Sequence, residues 1–296
     1  MITSFLVKAV SPVPIRFETY TGFSVRGMFY ALLRSADEDL ARSIHEANTI
    51  SPYSTSVLET RRQGMLFSGT VAAGEPFSFR VGCLDGKVSD AIGRAIAGRW
   101  PPLMRVRNAD ALLQEVQVSV WRPPQQLRVE ENMRIEVRFL TPTYFRSTQH
   151  NPSILRRLLP RRFRRSVRPV YRYVILPDPY YLFRGLARLY KRFCDPGIGN
   201  RSYAEWLLEG GIALETFSGL RVHKVYDEKG RWSRGFTGKA LYAIPRDLFD
   251  RKMAELTLRL LELARYSNVG GNRTAGFGVI DYRVLGRGDD EGADRR

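Results

Sequence analysis

The segment 268–278, with the sequence NVGGNRTAGFG, places the tightest constraint on how this chain folds, because four of its eleven residues are glycine. It follows an amphipathic helical pattern and precedes a strand-like stretch, 277–285. Glycine at such a junction adopts positive φ angles and lets another backbone approach closely. The backbone amides of these glycines are not covered by side chains, so together with Arg273 they can bind a phosphodiester backbone. Alternatively, the segment is only a tight turn between a helix and a strand, which requires residues that tolerate left-handed backbone conformations.

Composition indicates a soluble, cytoplasmic protein. The 296 residues suffice for one large or two ordinary domains, of which we expect two. Hydrophobic residues make up 44%, yet no apolar run is long enough to cross a bilayer, and the first residues do not resemble a secretion signal. Two distant cysteines, Cys83 and Cys194, fit a reducing compartment and predict neither a zinc site nor a reactive thiol.

The charge balance predicts a polyanionic partner. Lysine and arginine number 47 against 30 aspartate and glutamate, a formal net charge of +17. Arginine favours planar, bidentate contacts with phosphate and stacking on bases, so nucleic acid is the expected partner. A membrane surface would require a basic amphipathic helix or a lipidation signal, and we predict no membrane partner.

Hydrophobic periodicity in the first half predicts alternating strands and helices. In order, these are strand 2–10, helix 22–33, helix 37–47, strands 54–59 and 76–83, helix 88–97 and strand 112–121. This is the order of the ferredoxin-like unit, a four-stranded antiparallel sheet with helices on one face.

The prolines of segment 121–126 predict a linker, after which the same order repeats. The predicted elements are strand 133–140, helix 179–193, a hairpin of 213–226 and 232–244, helix 246–266 and strand 277–285. We therefore predict an α+β protein of two tandem ferredoxin-like (RRM-like) domains, residues 1–122 and 127–286, followed by a disordered tail, 287–296.

An arginine-rich insertion interrupts the second half. Residues 156–172 contain eight arginines, interleaved with Phe163 and Tyr171. Phosphate pairing and base stacking favour RNA binding here, although charge runs are more often solvated. The candidates are Arg161, Arg162, Arg164 and Arg165.

The glycine-rich segment resembles a motif of the CRISPR-associated endoribonucleases that process repeat RNA, a family of the repeat-associated mysterious protein superfamily. The family pattern is Gly, hydrophobic, Gly, five residues, Gly, hydrophobic, Gly. This chain matches it at 269, 270 and 276–278, with Asn268 in place of the first glycine. Asparagine tolerates positive φ, so this departure is mild.

A second stretch, 45–56, is similar to the family's histidine followed by a Lys-Pro-aromatic-Ser/Thr segment. His45 matches the histidine and Tyr30 falls where many members have a tyrosine, but Ser51 occupies the position of the lysine. Residues 140–145 are also similar to the family.

The resemblance implies metal-independent, cofactor-free cleavage of CRISPR repeat RNA by a ribose 2′-hydroxyl. The products would carry a 2′,3′-cyclic phosphate and a 5′-hydroxyl. His45 is the implied general acid or base, since histidine populates both protonation states near neutrality. Tyr30 either contacts the scissile phosphate or is a core residue with its hydroxyl at the surface. Ser51 cannot supply the family's positive charge, for which Arg26 and Arg42 are the candidate replacements.

RNA binding is predicted to use both domains and to weaken steeply with salt. The candidates beyond the insertion are Asn268, Gly270, Gly271, Arg273, Gly276, Gly278, Arg234 and Lys239. The expected partner is CRISPR repeat RNA, with a second copy of the chain or other CRISPR-associated subunits left open. Two alternatives remain, a non-catalytic or slow repeat-binding relative, which the missing lysine favours, and a general RNA-binding protein. We predict His150 and His223 to be surface or structural residues.

Overall fold

The computed structural model describes residues 2–47, 49–98, 102–124, 127–147 and 172–285. The predicted tail and all but the last residue of the arginine-rich insertion, including Arg161, Arg162, Arg164 and Arg165, lie outside these ranges, as does His150. Within them, no helix combines the length and hydropathy needed to cross a bilayer.

The described residues form six α-helices. They are α1 (Thr21–Ala36), α2 (Glu38–Glu46), α3 (Gly86–Ala97), α4 (Pro179–Phe193), α5 (Asn200–Leu208) and α6 (Arg251–Ser267). An aspartate side chain caps the start of four of them, namely α2, α3, α4 and α6. The side chain of Asp178 accepts a hydrogen bond from the amide of Tyr181, which fixes the predicted start of α4. Asp250 caps α6 in the same way, so this helix starts at Arg251 and the predicted start at residue 246 is wrong.

In the described residues, fifteen strands form the sheets. They are β1 (Ile2–Val10), β2 (Ile15–Phe17), β3 (Tyr53–Thr55), β4 (Leu58–Thr60), β5 (Gly64–Leu66), β6 (Gly69–Val71), β7 (Pro76–Cys83), β8 (Leu103–Val106), β9 (Ala109–Trp121), β10 (Arg134–Thr143), β11 (Phe145–Ser147), β12 (Arg172–Val174), β13 (Ala213–Tyr226), β14 (Trp232–Ala243) and β15 (Ile280–Leu285).

The first sheet has seven strands rather than the predicted four. Its order is β5-β4-β7-β1-β9-β8, with β3 also paired to β7, and every pairing is antiparallel. Phe5, Val7, Phe79 and Val81 lie on the face that α1 and α3 cover, in one buried core. The extra strands have three or four residues, too few to produce a period of two in the sequence.

The second sheet has four antiparallel strands in the order β13-β14-β10-β15. Its core lies against α4 and α6 and includes Phe139, Phe183, Tyr242 and Leu260. The last strand starts at Ile280 and not at residue 277, because the amide of Phe277 bonds to the carbonyl of Asn272 within a turn. Both sheets are thus antiparallel, with helices against one face, and the fold class is α+β.

The two sheets meet at the end of α6 and at segment 268–278, which we call the glycine segment. The hydroxyl of Ser54 donates to the carbonyl of Tyr266 at 2.6 Å, and the guanidinium of Arg80 donates to the same carbonyl at 3.2 Å. Close approach is possible because Gly82 has no side chain; a Cβ there would collide with the Tyr266 carbonyl oxygen.

Candidate functional site

Tyr30 on α1 and His45 on α2 contact each other at the surface, although fifteen residues separate them. Their ring centroids lie 5.5 Å apart with planes at 84°, an edge-to-face contact. Asp37 ends α1 and its side chain caps α2 through the amide of Leu40, which fixes the angle between the helices. His45 is exposed and Tyr30 is half-buried, so a ligand can reach an imidazole and a phenol together.

Tyr53 lies beneath this pair and connects it to the glycine segment. Its ring stacks on Phe29 at 3.8 Å and meets Tyr30 edge-to-face at 5.8 Å. Its hydroxyl interacts with Tyr30 and with Thr274 of the glycine segment. Burial is the main reason that the pKa of Tyr53 is raised, so the group stays a neutral hydroxyl. Sequence reasoning assigned no role to this residue.

The two candidate replacements for the family's lysine differ in surroundings. Arg26 is half-buried, lies 5.1 Å from the centroid of Phe23, and is close enough to Tyr53 to influence its pKa. Arg42 is exposed and forms ion pairs with Glu38 and Asp39 at 3.6 and 3.7 Å. Because those carboxylates already balance Arg42, the geometry favours Arg26.

Position 51 nevertheless has a cation next to it. The guanidinium of Arg273 donates to the backbone carbonyl of Ser51 at 3.2 Å and to that of Ser267 at 2.7 Å. Burial lowers the pKa of Arg273 to about 10, so the group remains charged at neutral pH. A buried positive charge therefore lies behind Ser51.

This geometry corrects two of the predicted RNA contacts. Arg273 is 8% exposed and its guanidinium bonds to the protein itself, so it is not free to pair with a phosphate. Asn268 is completely buried, with its side-chain amide donating to the carbonyls of Thr55 and Phe277 at 2.7 and 3.1 Å. Sequence context could not show this, because the partners Ser51 and Thr55 lie more than 200 positions away.

A Cβ at any of the four glycines of the segment would collide with neighbouring protein atoms, which for Gly270 and Gly271 belong to Tyr144. Gly276 and Gly278 are buried at φ +75° and +70°, and a Cβ on Gly278 would collide with the carbonyl of Val269. These two therefore serve packing, and direct RNA contact by them does not fit their burial. Gly270 is exposed and Gly271 is half-buried; both line an open cleft.

That cleft has a volume of about 770 Å³ and runs between the glycine segment, the loop after α2 and helix α4. We call it the arginine cleft, after the exposed residues Arg184, Arg188 and Arg192 that line it from α4. Their spacing of four puts them on one helix face, and no carboxylate in the described part of the chain pairs with them. Sequence reasoning missed them, although the i, i+4, i+8 repeat is visible in the sequence.

Two other predicted contacts lie on β14, outside the cleft. Arg234 and Lys239 are both exposed. Burial alone would raise the pKa of Glu136, but the positive charges of Arg138, Arg283 and, least, Lys239 outweigh it and lower that pKa. The charge of Lys239 is therefore partly balanced within the protein, whereas Arg234 lies over the ring of Trp232.

Comparison with known proteins agrees with the motifs. The family model for "CRISPR-associated endoribonuclease Cas6" matches residues 137–280. Among solved structures, a Thermus thermophilus Cas6 in a product complex is similar with a TM-score of 0.71 at 23% identity, covering 96% of this chain and 100% of that one. A second Cas6 product complex gives 0.64 at 20% identity, with the same coverage. No curated protein matches the chain.

The fold is thus that of the solved Cas6 structures, with an exposed tyrosine–histidine pair beside a cationic cleft. Residues 137–280, just under half of the chain, match the model of the Cas6 family of CRISPR-associated endoribonucleases, the family that the two sequence motifs resemble.

Proposed function

We propose that this protein cleaves CRISPR precursor RNA within its repeats, with His45 and Tyr30 at the reacting phosphate. The observation that carries the proposal is the edge-to-face contact of the exposed His45 with the half-buried Tyr30, which Tyr53 connects to Thr274 in the lining of the arginine cleft. The sheet orders β4-β7-β1-β9 and β13-β14-β10-β15 support two ferredoxin-like domains, which we place at 1–122 and 127–286.

The proposed reaction transfers a phosphodiester bond within the RNA. The 2′-oxygen bonds to the adjacent phosphorus, its proton passes to a base, and the bond to the 5′-oxygen breaks as that oxygen gains a proton. The imidazole of His45 takes one of the two proton transfers. The Tyr30 hydroxyl donates to a phosphate oxygen as charge develops, while the guanidinium of Arg26, one helical turn before Tyr30, stabilises that charge.

Binding is proposed to start in the arginine cleft, where Arg184, Arg188 and Arg192 meet RNA phosphates beside Gly270 and Gly271. Metal independence is also proposed, and cleavage should continue in EDTA. The described residues contain no group of three metal-ligating side chains. A cytoplasmic location, and assembly with a second copy or with other CRISPR-associated subunits, are further proposals from the resemblance.

Incubation with labelled repeat RNA tests the nuclease directly. The wild-type protein should cut a ribose substrate and leave a 2′-deoxy substitution at the cut site uncut. His45→Gln should abolish cleavage without weakening RNA binding. Glu46→Gln, which changes the adjacent exposed residue, is the matched control and should cut normally. Equal rates for wild type and His45→Gln would refute the assigned role.

The second candidate is a repeat-holding relative that does not cut or cuts slowly, which Ser51 favours because the lysine is missing. Tight binding of repeat RNA with no cyclic phosphate product would establish it. A general RNA-binding protein would instead release repeat RNA equally well to unrelated competitor RNA.

A further inference from the structure

A cluster of two cations and two aromatic rings lies outside the arginine cleft, on the hairpin of β13 and β14. Lys224 is the direct cross-strand partner of Arg234, and Tyr226 is that of Trp232. Side chains two positions apart on a strand share a face, as do directly paired residues, so these four side chains form a square on one face. We call this square the stacking face.

The cations lie over the rings. The ammonium of Lys224 is 5.1 Å from the centroid of Tyr226 and 5.2 Å from that of Trp232, and the guanidinium of Arg234 is 5.0 Å from Trp232. Trp232 nevertheless remains 53% exposed and Tyr226 44% exposed. Trp121 and Trp206, the other tryptophans in the described ranges, are buried. An open indole bordered by positive charge is thus specific to this face.

The charges of the stacking face are not balanced by the protein. Like charges directly opposite each other destabilise an antiparallel pair, yet Lys224 faces Arg234. No carboxylate of the described residues pairs with either, since Asp227 bonds to Arg231 and Glu228 to Arg107 at the hairpin turn. An anion bound at this face would remove the repulsion, so the sheet is built for an anionic occupant.

Two contacts tie this hairpin to the rest of the protein. The bond between Arg107 and Glu228, 3.1 Å, ties the turn to the first sheet. Ser233, between Trp232 and Arg234 in sequence, contacts the side chain of Asn272, which lines the arginine cleft. The side chain of Ser233 points to the face of β14 opposite the stacking face, so RNA that leaves the cleft past Asn272 reaches the stacking face around the edge of β14, where residues 232–235 pair only with β13 among the described strands.

We infer that the stacking face binds unpaired nucleotides flanking the RNA held in the arginine cleft, with a base on Trp232 and phosphates on Lys224 and Arg234. The ligand is single-stranded because a base inside a duplex has no free face to offer an aromatic ring. This inference rests on the proposed function, but it assigns a binding role and no part in the chemistry.

Binding of a repeat RNA with an unpaired flank tests the inference, with a 2′-deoxy substitution at the cut site to prevent turnover. Trp232→Ala should weaken binding about tenfold, the usual effect of removing one stacked base. Trp232→Phe should retain most of the affinity. Phe217→Ala is the matched control, because Phe217 is an equally exposed aromatic on β13 for which the structure shows no cation over the ring.

A second measurement identifies the occupant. The single-stranded oligonucleotide U8 should quench the fluorescence of Trp232 in the wild-type protein, and a blunt duplex should not. Identical binding by Trp232→Ala and Phe217→Ala, or stronger quenching by duplex than by U8, would overturn the inference. A wild-type protein that shows Trp232-dependent binding but never cuts would refute the nuclease and leave the stacking face standing. If the wild-type protein cuts normally and Trp232→Ala binds the RNA as tightly as the wild type does, the stacking face is refuted and the nuclease is not.

Discussion

The guanidinium of Arg80, on β7, donates a hydrogen bond of 2.8 Å to the side-chain oxygen of Asn268, the first residue of the glycine segment. Burial lowers the pKa of Arg80 to about 10, so a charged group depends on this acceptor inside the protein. Asn268 also has a left-handed backbone, with φ at +55°. Asparagine at the family's glycine position therefore does more than tolerate the turn, because it joins the two sheets.

Replacing Asn268 by glycine, the residue that the family pattern has at this position, should destabilise the protein. The change removes the acceptor of Arg80 and the donor to Thr55, and a lost bond to a buried charge should lower the free energy of unfolding by about 2 to 4 kcal/mol. Urea denaturation measures this. Asn272→Gly, also at a positive φ but half-buried, is the control and should change stability by less than about 1 kcal/mol. Equal effects of the two changes would contradict the role of Asn268.

Removing the hydroxyl of Tyr53 should slow cleavage without weakening RNA binding. Tyr53→Phe keeps the stack on Phe29 but loses the interactions with Tyr30 and Thr274. Loss of one positioning hydrogen bond corresponds to about a fivefold to tenfold lower single-turnover rate.

Tyr203→Phe is the control for this variant, because the Tyr203 hydroxyl is equally buried and bonds to Thr257 far from the cleft. An unchanged rate for Tyr53→Phe, or a matching loss for Tyr203→Phe, would remove Tyr53 from the site.

Long, regular elements could be predicted from the sequence because their own residues determine them. The strand β1 has the predicted bounds, since its alternation continues over nine residues, and α4 has them because Asp178 and Pro179 fix its start. The three-residue strands β2 and β6 could not be predicted, because each exists only through its pairing with the other.

The same difference between local and long-range determinants applies to the candidate site. His45 and Tyr30 were found through a motif, and the structure brings them together. The buried positions of Asn268 and Arg273 depend on residues of the first sheet, which no local pattern reveals. The composition predicted a cationic surface, but only the folded helix shows which arginines share a cleft.

The arginine cleft should account for much of the salt dependence of RNA binding. Replacing Arg184, Arg188 and Arg192 together by glutamine should reduce the slope of log affinity against log salt by about 2, at about 0.7 for each phosphate contact with single-stranded RNA. Arg201→Gln, an exposed helical arginine paired with Glu205 at 2.9 Å, is the control and should leave the slope unchanged. A slope unaffected by the triple change would place the RNA elsewhere.

Arg26 and Arg42 should differ in their effect on the cleavage step. Arg26→Ala should lower the single-turnover rate about tenfold or more, because a cation near developing phosphate charge is lost. Arg42→Ala should have little effect, since its charge is already paired with Glu38 and Asp39. The double variant should therefore resemble Arg26→Ala, and a double variant that cuts at the wild-type rate would exclude both residues.

Stability should depend on pH through His223, which lies on β13 and contacts Phe67 in the turn between β5 and β6. Its Nε2 lies 2.8 Å from the Thr237 hydroxyl and its ring meets Phe67 edge-to-face at 5.5 Å. Burial, and then the positive charge of Arg221, lower the pKa of His223 in the folded protein. The unfolded chain therefore binds the proton more tightly, so this contribution to stability is complete above the ordinary histidine pKa of about 6.5 and is lost as pH falls below it.

Melting temperatures of the wild type and of His223→Gln measure this dependence. Between pH 7.5 and 5.5 the melting temperature of the wild type should fall further than that of the variant, because only the wild type gains a charge beside Arg221. Between pH 7.5 and 8.5 the two should change in parallel, since the imidazole is already neutral there. A larger loss in the variant at low pH would show that the folded protein binds the proton at His223 more tightly than the unfolded chain does.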